Sequence, residues 1–374
     1  MLKVGILGGG INSAVGKAHL SALSIDRNWD IAAGLFSRDD KINTESQLLW
    51  SSKRHYFSLE QFIEVEQGKL DAVIVLTPTP THYEIIKKLL IGGFDVISEK
   101  SLTTNFEESY NLDEIARKYN RRIYVTFNYT GYPMIRELRA RIISGKYGDL
   151  KSIFIEMPQD TFSVVNDQGQ TRKIQEWRKV DYDIPTVSLD LGVHVNNLAH
   201  FLVNDSMQRV VSMEQHNGKI EEAVDTVCYL AEFRSGILGN FWFGKSFLGH
   251  RNGLRVRGFG ESGSFEWVQN SPDVFWESSF SGDKRLVDLA DGDLLTASKE
   301  RYMRFKPGHP TGFIEAFSNL YEDIKQDFTQ SPKQTNEYVF HAQEASLGLM
   351  ELSAVHQSSK TRKWEEVSSA RTLP

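Results

Sequence analysis

Lys3-Val4-Gly5-Ile6-Leu7-Gly8-Gly9-Gly10 opens the chain with an apolar, β-rich run that stops in three consecutive glycines. A stretch with helical spacing, Val15–Ser24, follows directly. Glycine at such a turn supplies the positive φ angles that other residues resist and lets a ligand approach the backbone closely. The helix beyond it leaves unbonded N–H groups and a partial positive charge facing the turn. Strand, glycine turn and helix in this order make a phosphate-receiving loop. The spacing does not complete G-x-G-x-x-G, because Ser13 stands at the third position. Gly16, followed by His19, restores the same logic with about three extra loop residues.

Working outward, Asp30–Phe36, Asp71–Thr77, Phe94–Ser98 and Arg122–Phe127 are further strand-like runs. Leu59–Gln67, Thr81–Ile91 and Phe106–Tyr119 have helical spacing between them. Strands apolar at nearly every position, separated by helices, predict a parallel sheet covered on both faces. Right-handed crossovers then make that sheet doubly wound. A glycine turn after the first strand of such a sheet points to a dinucleotide, with Gly8, Gly10, Asn12 and Ser13 around its pyrophosphate. The second strand ends in Phe36-Ser37-Arg38-Asp39. An acid there takes a ribose 2′-hydroxyl, whereas Arg pairs with a 2′-phosphate. Ser37 and Arg38 lean towards NADP, and Asp39 keeps NAD open.

After Asn128 the texture changes. Pro133–Ser144 is one more helical stretch, with Gly145 and Lys146 as its stop signal. Extended segments follow at Lys151–Met157, Arg209–Gln215, Val224–Arg234, Gly236–Phe243, Gly253–Gly258 and Ser264–Val268. Tight turns such as Arg234-Ser235-Gly236 and Gly260-Glu261-Ser262-Gly263 join several of them, the pattern of an antiparallel sheet. Two late helices, Thr311–Phe328 and Tyr338–Gln357, close the chain, and Ser281–Arg304 is too polar to assign. The fold class is therefore α/β, with a doubly wound domain over 1–127 and an α+β domain over 128–374.

The 374 residues suit two domains, and 40% hydrophobic with 25% charged residues is a globular composition. A net charge of −6 leaves no cationic excess for nucleic-acid phosphates. Arg136, Arg139 and Arg141 read as one solvated helix face. Cys228 stands alone, so neither an internal disulfide nor a zinc cluster can form, and its strand-like surroundings suggest a packed thiol. No apolar run approaches the roughly 18 residues of a membrane span, and the first strand leaves no room for a signal peptide. A cytoplasmic location, with no metal, nucleic acid or membrane partner, is the expectation.

Three further stretches are informative together. Thr77-Pro78-Thr79-Pro80-Thr81-His82 leaves the third strand, Ile97-Ser98-Glu99-Lys100 leaves the fourth, and Asp190-Leu191-Gly192-Val193-His194 follows Trp177-Arg178 in the second half. In this order and spacing they resemble the Gfo/Idh/MocA family of oxidoreductases, which includes glucose–fructose oxidoreductase and inositol dehydrogenase. The resemblance runs by motif from residue 1 to about 205, and by layout to the end. It implies a Rossmann domain, a second domain whose large open sheet often makes a homodimer or homotetramer interface, and an active site in the crevice between the domains. The family's Glu-Lys-Pro motif falls on Glu99, Lys100 and Ser101, and its Asp-x-Gly-x-His motif on Asp190, Gly192 and His194. Thr77, Pro78, Thr79 and His82 match the segment beneath the nicotinamide ribose. Asn128 matches a position bordering cofactor or substrate. Asn197 stands where relatives often carry a substrate-binding Asp, and Trp177 and Arg178 line the substrate pocket. Ser101 departs from the family's Pro, and Ile184-Pro185-Thr186-Val187-Ser188 replaces a glycine-rich run.

The residue chemistry fits these roles. Oxidising a secondary alcohol needs a base for the hydroxyl proton while hydride departs, and His194 has the side chain for it. Lys100, at the carboxyl end of a buried parallel strand, can stabilise negative charge growing on the same oxygen. Asp190, four residues before His194, shares its face if the segment is helical. There it can orient substrate hydroxyls or His194 itself. The reading is an NAD(P)-dependent dehydrogenase or ketoreductase acting on a sugar, cyclic polyol or nucleotide-sugar. NAD-dependent glycoside hydrolysis on the same fold and a non-catalytic dinucleotide-binding regulator are the alternatives.

Overall fold

Strand β1 (Leu2–Gly8) forms where the opening apolar run predicts it, and Val4 and Ile6 are fully buried. The computed structural model describes residues 1–171, 174–329 and 336–367. Continuing along the chain, the first unit contains α1 (Ala14–Ile25), β2 (Trp29–Leu35), α2 (Asp40–Leu49), β3 (Arg54–His55), α3 (Leu59–Glu66), β4 (Ala72–Leu76), α4 (His82–Ile91), β5 (Val96–Ser98), α5 (Phe106–Lys118) and β6 (Ile123–Val125). The second contains α6 (Pro133–Ile143), β7 (Leu150–Pro158), α7 (Val193–Val203), β8 (Met207–Gln215), β9 (Thr226–Phe233), β10 (Leu238–Gly244), β11 (Arg255–Gly260), β12 (Gly263–Val268), β13 (Val274–Ser279) and β14 (Lys284–Asp288). Helices α8 (Phe313–Thr329) and α9 (Ala342–Thr361) and the short β15 (Glu365–Glu366) follow.

The first unit comprises Met1–Gly131 and Gly312–Ser346. Its strands run parallel in the order β3-β2-β1-β4-β5-β6, the doubly wound arrangement, which reverses direction beside β1. The expectation that 128–374 forms one domain differs from this division, because Gly312–Ser346 belongs with the first unit. Phe317, Leu320 and Ile324 of α8 enter the core formed by Val4, Ile6, Leu20, Leu23 and Ile74. Each such side chain contributes roughly 1.5–3 kcal/mol by leaving water. Polar ties reinforce the seat: Asn28 donates to Glu322 at 2.7 Å, and Ser318 donates to Asp26 at 2.6 Å. The last helix starts later than its periodicity suggests. Residues before it run beside β6, where Val125 N–H donates to the Phe340 carbonyl and Tyr124 bridges to His341.

The second unit comprises Tyr132–Thr311 and the described residues of Leu347–Pro374. Its nine described strands lie in the order β14-β13-β12-β11-β7-β10-β9-β8-β15. All neighbours are antiparallel except β7 and β10, which run parallel. Along β9 the burial alternates: Val227, Tyr229, Ala231 and Phe233 face the core, while Leu230 and Cys228 are exposed. That alternation corrects the expectation of a packed thiol, since a residue between two inward neighbours must face outward.

The basic run in α6 also departs from expectation, because its arginines are buried rather than solvated. Arg136 donates to the Tyr302 hydroxyl at 2.8 Å, and Arg139 reaches the Phe201 carbonyl. Arg141 is shared by Glu137 at 2.7 Å, Glu277 at 2.9 Å and Asp293 at 3.1 Å. Glu137 in turn accepts the N–H groups of Leu295, Thr296 and Ala297 at 2.8–3.1 Å. Burial would raise its carboxyl, but these donors and Arg141 hold it below the ordinary value. This buried anion gives the polar stretch Ser281–Arg304 its anchor. Among the described residues no helix is long and apolar enough to cross a membrane.

Candidate active site

In the first unit the glycine turn has the geometry a phosphate needs. Gly8 has φ +82°, and a Cβ there would stand 2.8 Å from the Leu76 carbonyl group and the Thr77 nitrogen. A Cβ on Gly16 would fall 2.4 Å from the Gly9 carbonyl oxygen, so α1 packs on the turn only because this residue is glycine. Gly16, not Ser13, therefore fills the third glycine's role. Ser13 caps α1 instead, its hydroxyl accepting from Gly16 N–H at 3.0 Å. The first turn of α1 carries no acidic side chain.

At the tip of β2, Asp39 is committed locally. Its carboxylate caps α2 by accepting from Ile42 N–H at 2.9 Å, while the Ser37 hydroxyl accepts from Asp39 N–H at 3.0 Å. Arg38 is exposed beside them. Past β6, Asn128 is buried, and its side-chain nitrogen has no hydrogen-bond partner. A buried amide in that state calls for an acceptor from a ligand or water. The glycine cradle, the acid-free helix start and this amide fit a bound dinucleotide.

The loop after β4 places Thr77 partly exposed and Thr79 buried. His82 does not line it. The ring is fully buried, with Nε2 2.7 Å from the Thr77 carbonyl and Nδ1 2.9 Å from the Ser101 carbonyl. It straps this loop to the Lys100–Ser101 turn, a correction to the expected cofactor contact. Burial lowers its pKa. The Lys100–Ser101 peptide is cis, and the Ser101 hydroxyl donates to the Thr103 carbonyl at 2.9 Å.

Glu99 is buried, at the root of Lys100. Its carboxylate accepts from the Thr126 hydroxyl at 2.8 Å and lies 3.2 Å from His19 Nε2. Burial alone would raise the carboxyl. The His19 ring, the Lys100 charge and the Thr126 hydroxyl outweigh it and hold the pKa at about 2.

In the second unit a π turn, Ser188–Gly192, leads into α7 and carries Asp190. His194 lies in the first turn of α7 and is only 6% exposed; Asn197 on the same helix is equally buried. Asp190 receives two cations. The Arg178 guanidinium and the Lys245 ammonium both meet its Oδ2, and Arg178 also lies 4.3 Å over the Trp177 ring. Trp177, Arg178 and Asp190 thus form one cluster, and Lys245 is a member the sequence reading missed. Lys245 follows the end of β10 and is 4% exposed. The only sequence signal was a lysine directly after an apolar strand. The buried Trp177 Nε1 and Ser188 hydroxyl have no hydrogen-bond partner.

The rest of the polar set on α7 is structural. Asn196 donates to Glu351 at 3.0 Å, and His200 Nε2 lies 2.8 Å from the same carboxylate. The segment that replaces the family's glycine-rich run is anchored by Asp181, which accepts from Thr186 N–H at 2.9 Å and Val224 N–H at 2.8 Å.

Known proteins share the sequence pattern and the fold of both units. Residues 2–127 match the family profile described as oxidoreductase family, NAD-binding Rossmann fold, and residues 139–367 match its C-terminal alpha/beta domain. The uncharacterized oxidoreductase YfiI of Bacillus subtilis (strain 168) is 26% identical over 86% of this chain and 84% of its own length. Glucose-6-phosphate 3-dehydrogenase of the same organism is 22% identical over 74% of this chain and 77% of its own. The crystal structure of an inositol dehydrogenase homolog from Azotobacter vinelandii, complexed with NADH and myo-inositol, superposes with a TM-score of 0.87 at 24% identity, covering 98% of this chain and 97% of that one. The chain belongs to the Gfo/Idh/MocA family of oxidoreductases, with an NAD-binding Rossmann domain and the family's C-terminal alpha/beta domain.

Proposed function

We propose that the protein is an NAD(P)-dependent dehydrogenase that oxidises a secondary alcohol of a sugar, cyclic polyol or nucleotide-sugar, or reduces the corresponding ketone. The observation that carries the reading is the half-buried Asp190–Arg178–Lys245 cluster, whose Asp190 stands four residues before His194, with the unpartnered Trp177 Nε1 and Ser188 hydroxyl in the same segment. Such a wall suits a ligand rich in hydroxyls, because each buried polar group needs a partner. The names of two similar proteins, a glucose-6-phosphate 3-dehydrogenase and an inositol dehydrogenase homolog, point the same way.

A bound dinucleotide supplies the hydride acceptor or donor. His194 takes the hydroxyl proton, a step for which a positioned imidazole is suited. Lys100 donates to the same oxygen and stabilises its developing charge. Asp190, fixed by its two cations, orients neighbouring hydroxyls, with Asn197, Trp177 and Arg178 completing the wall. Gly8, Gly10, Asn12 and Ser13 hold the pyrophosphate; Ser37 and Arg38 face the adenosine ribose; Thr77, Pro78, Thr79, Glu99 and Asn128 surround the nicotinamide side. The cofactor preference is NADP, because Asp39 is spent on capping α2 while Arg38 remains exposed. Met213, Leu230, Leu238 and Trp276, exposed on strands of the large sheet, support self-association through that face.

Lys100→Ala and His194→Ala test the assignment. Each lowers turnover by roughly 10²–10⁴-fold while dinucleotide binding survives. Unchanged turnover in either variant removes that residue from the mechanism.

A further inference from the structure

We propose that His19 is a positioning residue for Lys100, acting through Glu99, with Tyr321 fixing the orientation of its ring. The proposal rests on the reading of Lys100 given above. His19 is fully buried on α1, with Nε2 3.2 Å from Glu99 Oε1 and Nδ1 2.7 Å from the Tyr321 hydroxyl. Its ring packs against Phe317, 4.3 Å between centroids. An ionised carboxylate only accepts, so the proton facing Glu99 sits on Nε2. Nδ1 faces the Tyr321 hydroxyl, which burial keeps protonated well above its ordinary range. Tyr321, His19 and Glu99 thus form one hydrogen-bonded chain. Thr126 donates from the opposite side at 2.8 Å.

The arrangement does more than satisfy a core histidine. A satisfied histidine needs two partners of any kind, yet one partner here is the carboxylate at the base of Lys100. The titratable groups around Glu99 are His19 from α1, Tyr321 behind it from α8, His82 from α4 and Lys100 from its own segment. His82 spends both ring nitrogens on backbone carbonyls and braces the turn. His19 therefore makes the one imidazole hydrogen bond to Glu99 among the described residues. Burial pushes a carboxyl towards its neutral form, so loss of this donor protonates Glu99 at a higher pH. Lys100 then loses the fixed charge beside its root and the geometry that charge imposes.

The test uses the full chain as His19→Leu, His19→Gln and Tyr321→Phe, with Lys100→Ala in parallel. Gln places an amide N–H near the position of Nε2 without titrating. Three quantities are read: the pH profile of hydride transfer with a sugar or polyol that turns over, the dinucleotide Kd, and the melting temperature against pH without dinucleotide. His19→Leu lowers kcat roughly tenfold to a hundredfold and leaves KM and the dinucleotide Kd within about threefold. The acid limb of the rate moves up by roughly one pH unit or more, and the fall of the melting temperature towards low pH becomes shallower, because Glu99 then titrates nearer its unfolded value. His19→Gln stays close to the parent in rate and profile, and Tyr321→Phe moves in the direction of the leucine variant. A parent-like acid limb of the rate in His19→Leu overturns the proposal, as does a His19→Gln variant as impaired as the leucine one with no movement of that limb. If His19→Leu fails to fold, Tyr321→Phe carries the comparison, and an unmoved acid limb there overturns the proposal. Full turnover in Lys100→Ala removes the Lys100 reading and this inference with it. An inactive Lys100→Ala beside unmoved His19 and Tyr321 profiles defeats this inference alone.

Discussion

The Lys245 ammonium lies on the Asp190 carboxylate, with its own charge 5.1 Å from the Phe162 ring. A lysine this buried is maintained by a charge partner, and here the partner is a residue of the proposed substrate wall. Lys245→Met keeps most of the stem and removes the charge. We expect kcat/KM to fall roughly tenfold or more and the melting temperature to drop, as removal of one partner of a buried pair costs about 3 kcal/mol. Pairing it with Asp190→Asn restores the melting temperature and leaves the activity low. Recovery of activity in the double variant would show that the pair is only structural.

Arg38 is expected to set cofactor choice. Arg38→Ala removes a charge-assisted bond to a 2′-phosphate, so NADP(H) affinity falls roughly ten- to a hundredfold. NAD(H) affinity changes less than about threefold. Equal loss for both dinucleotides, read by fluorescence titration, contradicts the NADP preference.

Glu137 anchors the polar stretch beyond β14 and compensates the buried Arg141. Glu137→Gln keeps the shape and loses the charge. The expected cost is about 3 kcal/mol, seen as an earlier thermal transition, while the folded protein retains dinucleotide affinity. A melting curve that matches the parent means that Glu277 and Asp293 alone suffice for Arg141.

The parts of this molecule that were legible in the sequence share a short physical range. The parallel sheet announced itself because Val73, Ile74 and Val75 are buried together, which leaves an unbroken apolar run. The antiparallel sheet was legible through alternation, and faded in β13 and β14, where Glu277 is buried while Trp276 and Leu286 are exposed. The amphipathic face of α8 said that it packs but not on which core. The arginines of α6 looked solvated because their partners, Tyr302, Glu277 and Asp293, lie far along the chain. His19 and Lys245 were missed for the same reason: each meets its carboxylate across a long sequence separation. Lys100, Asp190 and His194 stood out by order and spacing within a family pattern, which no local periodicity supplies.

The central claim is hydride transfer between a nicotinamide and a secondary alcohol. The most direct measurement is binding of NAD(H) and NADP(H) by tryptophan fluorescence, followed by absorbance at the reduced-nicotinamide band with a panel of sugars and cyclic polyols. The account predicts binding of NADP(H) in preference to NAD(H), and net dinucleotide reduction by at least one member of the panel. Failure of both dinucleotides to bind contradicts it at the root, and binding without net reduction by any sugar or polyol contradicts the proposed reaction.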